Sequence, residues 1–263
     1  MDAVSDEMRT VILERIKQIE VEENARIILA VESGSRAWGF HSPDSDYDVR
    51  FIYTRTREWH YRLGKKSDVI ERPIDDELDL SGWELSKTLT LTLGSNAVVA
   101  EWLQSPIVYY ADPNAVAALT DFARTALDRK SVTWHYVNLA QRHYDRLLDK
   151  DGQVRIKRYF YVLRPVLALR WMRLANSAMP PMHMDALRDG SQLSTELSDA
   201  LDTLTEQKMA AKEQGTVSSS PLILENLVTD ELQQARDWLA QAPKSDNKHL
   251  WEMASRLHQD LSP

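Results

Sequence analysis

Gly34-Ser35-Arg36-Ala37-Trp38-Gly39 is followed, after a short loop, by Ser45-Asp46-Tyr47-Asp48-Val49. The first string can hold an anion. Its glycine lets a phosphate approach the backbone, its serine hydroxyl can hydrogen-bond one, and a helix starting there leaves N–H groups unpaired. The second string can hold a cation. Two carboxylates one residue apart repel and raise each other's pKa unless something compensates. A hard cation such as Mg²⁺, which takes oxygen ligands in octahedral geometry, does so. A phosphate cradle beside a metal pair is the minimal apparatus for in-line phosphoryl or nucleotidyl transfer. Taken singly, a Gly-Ser pair or an Asp-x-Asp most often marks only a turn; their order along the chain is what carries meaning.

The flanking residues supply the elements that must position these groups. Ile27-Ile28-Leu29-Ala30-Val31 is a β-favouring apolar run that reads as a buried strand, and Arg36 to Gly39 allow a turn or two of helix after it. His41-Ser42-Pro43-Asp44-Ser45 reads as a turn, and residues 47–53 as the next strand. Residues i and i+2 of a strand share a face, so Asp46 and Asp48 are expected to project side by side.

At these residues the chain resembles the DNA polymerase β superfamily of nucleotidyltransferases. That signature is Gly-Ser, a gap, Asp-x-Asp on the next strand, and a third carboxylate on a later one. The longer strings look most like the YcgL-type branch, predicted nucleotidyltransferases sometimes encoded beside RNA ligases. Further matches are Gly82-Trp83-Glu84-Leu85 with Lys87, Asn96, Glu101-Trp102-Leu103 and Ser105-Pro106-Ile107. Lys157-Arg158-Tyr159-Phe160-Tyr161 and Arg164-Pro165 extend the resemblance over roughly the first two-thirds of the chain. It implies an α+β fold: a small mixed sheet with flanking helices, here followed by a helical C-terminal domain. It also implies a nucleoside triphosphate donor and two Mg²⁺ ions. Gly34 and Ser35 would hold the triphosphate tail, Asp46 and Asp48 the metals.

The third carboxylate must come from Pro73-Ile74-Asp75-Asp76-Glu77-Leu78-Asp79-Leu80-Ser81-Gly82-Trp83-Glu84. Leu78-Asp79-Leu80 has the apolar–Asp–apolar form of a strand with one carboxylate facing a site, which favours Asp79. Glu77 shares that face by alternation and is the fallback. Glu84 is better placed to start a helix, where an acidic residue suits the dipole.

The chain has 263 residues, 43% hydrophobic and 27% charged, with a net charge of −8. That composition suits a globular protein and excludes a broad, nonspecific nucleic-acid binder, though not one that holds a single RNA end. No run of 18 apolar residues occurs and the start is acidic and amphipathic, so neither a secretion signal nor a membrane span is expected. The absence of cysteine excludes disulfides and thiolate metal sites and fits a cytoplasmic location. None of the seven histidines forms a His-x-x-x-His pair; His135 and His143 read as packing or solvent-facing residues.

Met8, Val11, Ile12, Ile16 and Ile19 recur at helical spacing ahead of the first strand. Strands are expected at 47–53 and 77–83, with a hairpin between them around Arg62-Leu63-Gly64-Lys65-Lys66. Leu85, Leu89 and Leu93 predict a helix. After Pro106 helical patterns dominate, at about 113–129, 131–149, 156–177, 194–214, 229–242 and 246–261. Pro113 reads as a helix start, Gly215 as a helix stop, and 215–221 as the most linker-like stretch. The expected organisation is a catalytic domain over 1–110 and an α-helical domain over 111–263.

The densest basic region joins Arg155, Lys157, Arg158, Arg164, Arg170 and Arg173, interleaved with Tyr159, Tyr161 and Trp171. It can be a helix whose cations meet triphosphate and whose aromatics stack a base, or an amphipathic helix with solvated arginines. The family match singles out Lys157 and Arg164, seven apart on one face. Arg36 has two readings, a phosphate contact or an anchor for the turn. Trp38 and Trp83 read as core.

The function implied is Mg²⁺-dependent transfer of a nucleoside monophosphate to an acceptor hydroxyl, with an RNA 3′ end first among acceptors because of the RNA ligase association. A protein hydroxyl or a small metabolite is nearly as compatible. A regulatory protein that keeps the nucleotide pocket without transfer is the competing class.

Overall fold

A computed structural model describes residues 3–42, 45–74, 77–148, 152–210, 216–217, 221–243 and 249–263. The chain divides into two compact units. The first comprises Met1–Ala37, Asp46–Leu127 and Asp246–Pro263; the second comprises Trp38–Ser45 and Asp128–Ser245.

The first unit is built on a five-stranded mixed sheet. It begins with α1 (Asp6–Glu23), capped by Ser5, whose side chain accepts from the Met8 N–H. Ile12, Ile16 and Ile19 of α1 are buried, as their spacing predicts. β1 (Arg26–Ser33), α2 (Gly34–Trp38), β2 (Tyr47–Thr54), α3 (Arg57–Tyr61), β3 (Val69–Glu71), β4 (Leu78–Glu84), α4 (Leu85–Leu93), α5 (Ala97–Leu103), β5 (Val108–Ala111) and α6 (Pro113–Ala126) follow. The strand order is β3-β4-β2-β1-β5. β1 runs antiparallel to β2 and β5, while β2 and β4 are parallel.

The parallel β2–β4 pair corrects one expectation. Parallel neighbours cannot be joined by a hairpin and need a crossover. The 62–66 segment belongs to that crossover, and the hairpin partner of β4 is the short β3.

Alternation along each strand splits the core. One face packs Tyr47, Val49, Phe51, Leu78 and Leu80 with the isoleucines of α1. The other gathers Ile28, Leu29, Val31 and Ile52 with Leu85 and Leu89 of α4, Trp102 of α5, and Leu119 and Phe122 of α6. Gly82 opposes Phe51 in register, and a Cβ there would lie 2.1 Å from the ring, so only glycine lets the two strands pack at this point.

The second unit is helical: α7 (Arg129–Tyr144), α8 (Ile156–Ala175), α9 (Met184–Gly190), α10 (Thr195–Ala210) and α11 (Leu222–Gln241), with a two-stranded ribbon of β6 (Val154–Arg155) and β7 (Thr216–Val217). α11 starts earlier than residue 229 because Leu224, Leu227 and Val228 continue its buried stripe. The basic region resolves largely into structure. Arg170 and Arg173 both reach Oε1 of Glu231 on α11, each at 2.7 Å, and Glu231 is 1% exposed. The last helix, α12 (Leu250–Leu261), returns to the first unit, where Leu250 and Ala254 join the α4–α6 side of the core.

These units differ from a single cut at residue 110. α6 stays with the sheet because Ala115, Leu119 and Phe122 supply part of its core, and α12 does so through Leu250. Gly215 and most of 215–221 lie outside the described residues; within that stretch Thr216–Val217 pairs with β6. Among the described residues no helix is long and apolar enough to cross a membrane.

Candidate active site

The buried strand β1 delivers the chain to Gly34, which opens α2 at φ +71°, a left-handed conformation that favours glycine. A Cβ placed on Gly34 would lie 2.0 Å from Oδ2 of Asp48 and 2.9 Å from its Cγ. The Gly-Ser backbone and the Asp-x-Asp carboxylate, fourteen residues apart in sequence, are therefore packed against each other. Ser35 is 9% exposed beside them. α2 spans only five residues, so what it offers an anion is N–H groups rather than much of a macrodipole.

Asp48 and Asp79 are register partners on the parallel β2–β4 pair, so their side chains share a face. Arg50, two residues beyond Asp48 on the same side of β2, spans them. Its Nη2 lies 2.7 Å from Asp79 Oδ2 and 3.3 Å from Asp48 Oδ1. Its Nη1 donates to the backbone carbonyls of Val49 at 3.0 Å and Asp79 at 3.1 Å. This guanidinium compensates the two carboxylates, a task the sequence left to a metal alone.

Asp46 sits immediately before β2 and is exposed; its carboxylate makes no hydrogen bond or ion pair among the described residues. Its carbonyl accepts from Arg36 Nε at 3.2 Å. Arg36 also donates to Ala3 O at 2.6 Å, stacks 3.8 Å from the centroid of the Tyr47 ring, and is 6% exposed. Its placement is that of an anchor for the entry into β2. Glu77 is exposed just ahead of β4, where its carbonyl accepts from Tyr47 N at 2.7 Å; Asp75 and Asp76 lie outside the described residues. Glu84 caps α4 through Ser86 N, as its helix-start position predicts.

Lys157 and Arg164 lie on α8 in the second unit. Lys157 is half-buried. Arg164 is 4% exposed, donates from Nε to Met182 O at 3.3 Å and lies 4.4 Å from the Trp38 ring centroid. Trp38 is a packing residue with Phe40 and Tyr161 as its ring neighbours, and Trp83 pairs with Trp102 at 4.1 Å.

Two participants escaped the sequence reading. Arg50 was in plain view as the next i+2 step after Asp46 and Asp48. Glu32 was signalled only by an acid ending an apolar strand. Glu32 is fully buried; its Oε1 accepts the Asp48 N–H at 2.8 Å and its Oε2 accepts the Tyr109 hydroxyl at 2.5 Å. Burial pushes its pKa up from 4.5 to about 7, against the opposing pull of those two hydrogen bonds. Between these values the native state holds a proton that the unfolded chain has released. Stability should therefore fall as pH rises through that window, by on the order of 3 kcal/mol in total. Glu32→Gln removes this titration. Urea midpoints measured from pH 4.5 to 8 should fall more steeply for wild type than for the variant; parallel curves would assign the slope to other groups.

Asp48 and Asp79 present oxygens on one face and are hard ligands of the kind Mg²⁺ takes. Asp46 is exposed ahead of β2, and the ligand oxygens of Asp46, Asp48 and Asp79 do not all come within 4.8 Å of one another, so the structure brings Asp48 and Asp79 together but does not gather all three as a ligand set. A cleft of about 370 Å³, lined by Arg15, Ile19, Arg72, Pro73 and Leu80 among others, contains none of these carboxylates. Its Leu78 and Leu80 walls belong to the sheet face opposite Asp79, so it is not the place for this chemistry.

The chain is similar to known proteins. The model of the RNA repair pathway DNA polymerase beta family matches residues 8–260. YcgL of Bacillus subtilis (strain 168), an uncharacterized protein, is 44% identical over 206 residues, 78% of this chain and 78% of that protein. Among solved structures, a nucleotidyltransferase-like protein from Exiguobacterium sibiricum 255-15 aligns over 87% of this chain and 75% of its own. The two chains are 14% identical there, with a TM-score of 0.28.

Proposed function

The chain belongs to the RNA repair pathway DNA polymerase beta family, and from that premise we propose that it transfers a nucleoside monophosphate from a nucleoside triphosphate to an acceptor hydroxyl, with an RNA end as the acceptor. The observation that supports this reading most is the close approach of Gly34 to Asp48, which sets the Gly-Ser and Asp-x-Asp strings beside each other.

In this reading Gly34 N–H and the Ser35 hydroxyl donate to the triphosphate tail. The acceptor oxygen attacks the α-phosphorus in line, the new P–O bond forms as the bond to pyrophosphate breaks, and the tail leaves with the charge those donors stabilise. Asp79 accepts a hydrogen bond from the acceptor hydroxyl, orients it, and takes up its proton as the new P–O bond forms. Asp46, Asp48 and Asp79 would hold Mg²⁺, two ions by resemblance to the family, which when bound supplies charge stabilisation at the phosphate oxygens and acidifies the acceptor hydroxyl. Arg50 steers the Asp48 and Asp79 side chains toward one another. Glu32 fixes the Asp48 backbone. Lys157 and Arg164 enter as nucleotide contacts only through the resemblance.

One observation favours a second reading. A guanidinium already paired with two of the three carboxylates is what a nucleotide-binding regulatory protein without transfer activity would tolerate.

The deciding experiment supplies each α-labelled nucleoside triphosphate with Mg²⁺ to pools of RNA, protein and small molecules. Label in RNA together with released pyrophosphate is the expected result. Label in protein would move the acceptor to a protein hydroxyl. Calorimetric binding of nucleotide with no label transferred to any pool would establish the regulatory reading instead.

A further inference from the structure

Away from the carboxylate site, three ligand atoms of the first unit face one another. His60 on α3, Glu84 at the β4–α4 junction and His258 on α12 each offer one ligand atom, and the three atoms lie within 4.8 Å of one another. His60 Nε2, Glu84 Oε1 and His258 Nε2 are buried polar atoms with no hydrogen-bond partner among the described residues. His60 Nε2 and Glu84 Oε1 are 3.7 Å apart, too far for a hydrogen bond, and the two imidazole rings meet edge to face at 4.9 Å. Glu84 is fully buried, and burying a carboxylate oxygen without a partner is costly.

The other oxygen of Glu84 explains why Oε1 points where it does. Oε2 accepts the Ser86 N–H at 2.6 Å and the Ser86 hydroxyl, which fixes the carboxylate plane and leaves Oε1 aimed at the imidazoles. A carboxylate held from behind in this way is the supporting arrangement that metal ligands show. Two imidazole nitrogens and one carboxylate oxygen form a borderline donor set that suits zinc-class divalent cations, typically with a fourth position left for water. A cleft of about 290 Å³ lined by Arg57, His60, Tyr61, His258, Gln259 and Ser262 adjoins the cluster and gives that water room.

We propose that His60, Glu84 and His258 bind one zinc-class divalent cation, distinct from the Mg²⁺ expected at Asp46, Asp48 and Asp79. In a tetrahedral site the ligand atoms sit about 3.3 Å apart, so the imidazoles swing inward on binding. The bound ion clamps α12, at the far end of the chain, to β4, the strand that also carries Asp79.

The test uses the full chain, stripped with a chelator and titrated with Zn²⁺, and with Co²⁺ as a spectroscopic substitute. Wild type should take up one equivalent, show the visible absorption of tetrahedral cobalt, and unfold about 5 °C higher at a hundredfold excess over Kd. Asp48→Asn should retain all three responses, since its carboxylate belongs to the other site. His258→Ala should lose them. Because that change also touches α12, His60→Ala on α3, a helix with no buried residues, is the second variant and should lose them too. Wild type that takes up no zinc, or uptake that survives both histidine substitutions, would overturn the proposal.

Discussion

Asp48→Asn is expected to lower nucleotidyl transfer at least about a thousandfold while moving thermal unfolding by no more than a few degrees. The activity loss follows from removing the charge proposed to hold a metal, which lies against the Gly34 backbone. The small stability change follows from Arg50. If the carboxylates were held together only by a metal, deleting one would relieve repulsion and raise stability in the apo protein. Arg50 already compensates them, and after the substitution it keeps Asp79 at 2.7 Å and the carbonyls of Val49 and Asp79. The pair lost is a third exposed and 3.3 Å long, so it contributes about 0–1 kcal/mol. Asp79→Asn should abolish transfer equally and cost somewhat more stability, since it breaks the shorter contact. A variant at either position that keeps full transfer while folded would remove the proposed chemistry.

Gly34→Ala should be nearly as damaging to transfer, and by a different route. The left-handed backbone at φ +71° disfavours any side chain by about 1–2 kcal/mol. The added methyl would also overlap Oδ2 of Asp48, so the carboxylate must rotate out of its place. Misplacing a reacting group by about an ångström can cost on the order of a hundredfold in rate. Gly64→Ala separates strain from displacement. Gly64 sits at φ +111° with no atom within 4 Å of an added Cβ, so it should show the backbone cost with transfer intact. Measuring transfer and urea midpoints on both variants settles whether the Gly34 contact matters. Equal activity in the two would exclude Gly34 from the site.

Local signals carried well from sequence to coordinates. The apolar run at 27–31, the Gly-Ser turn, the strand at 47–53, the leucines at 85, 89 and 93, and Pro113 at a helix start all lie where sterics and periodicity put them. The same is true of Glu84 as a cap. These properties depend on neighbours within a few residues, which a sequence displays directly. Pairing does not. Nothing near Arg62 says that β4 runs parallel to β2, because that choice depends on which neighbour completes the sheet.

Residue types suited to phosphate and metal chemistry, and their spacing, were determined by the chain alone, since alternation and glycine's backbone freedom are local. Tertiary structure decided what those residues meet. It set Asp79 opposite Asp48, laid Arg50 across both, and buried Glu32 behind the Asp48 backbone, pushing its pKa to about 7. It also brought His258, at the far end of the chain, to His60 and Glu84. Charge compensation, desolvation and ligand convergence depend on distance and on exclusion of water, and both of those exist only once the chain has folded.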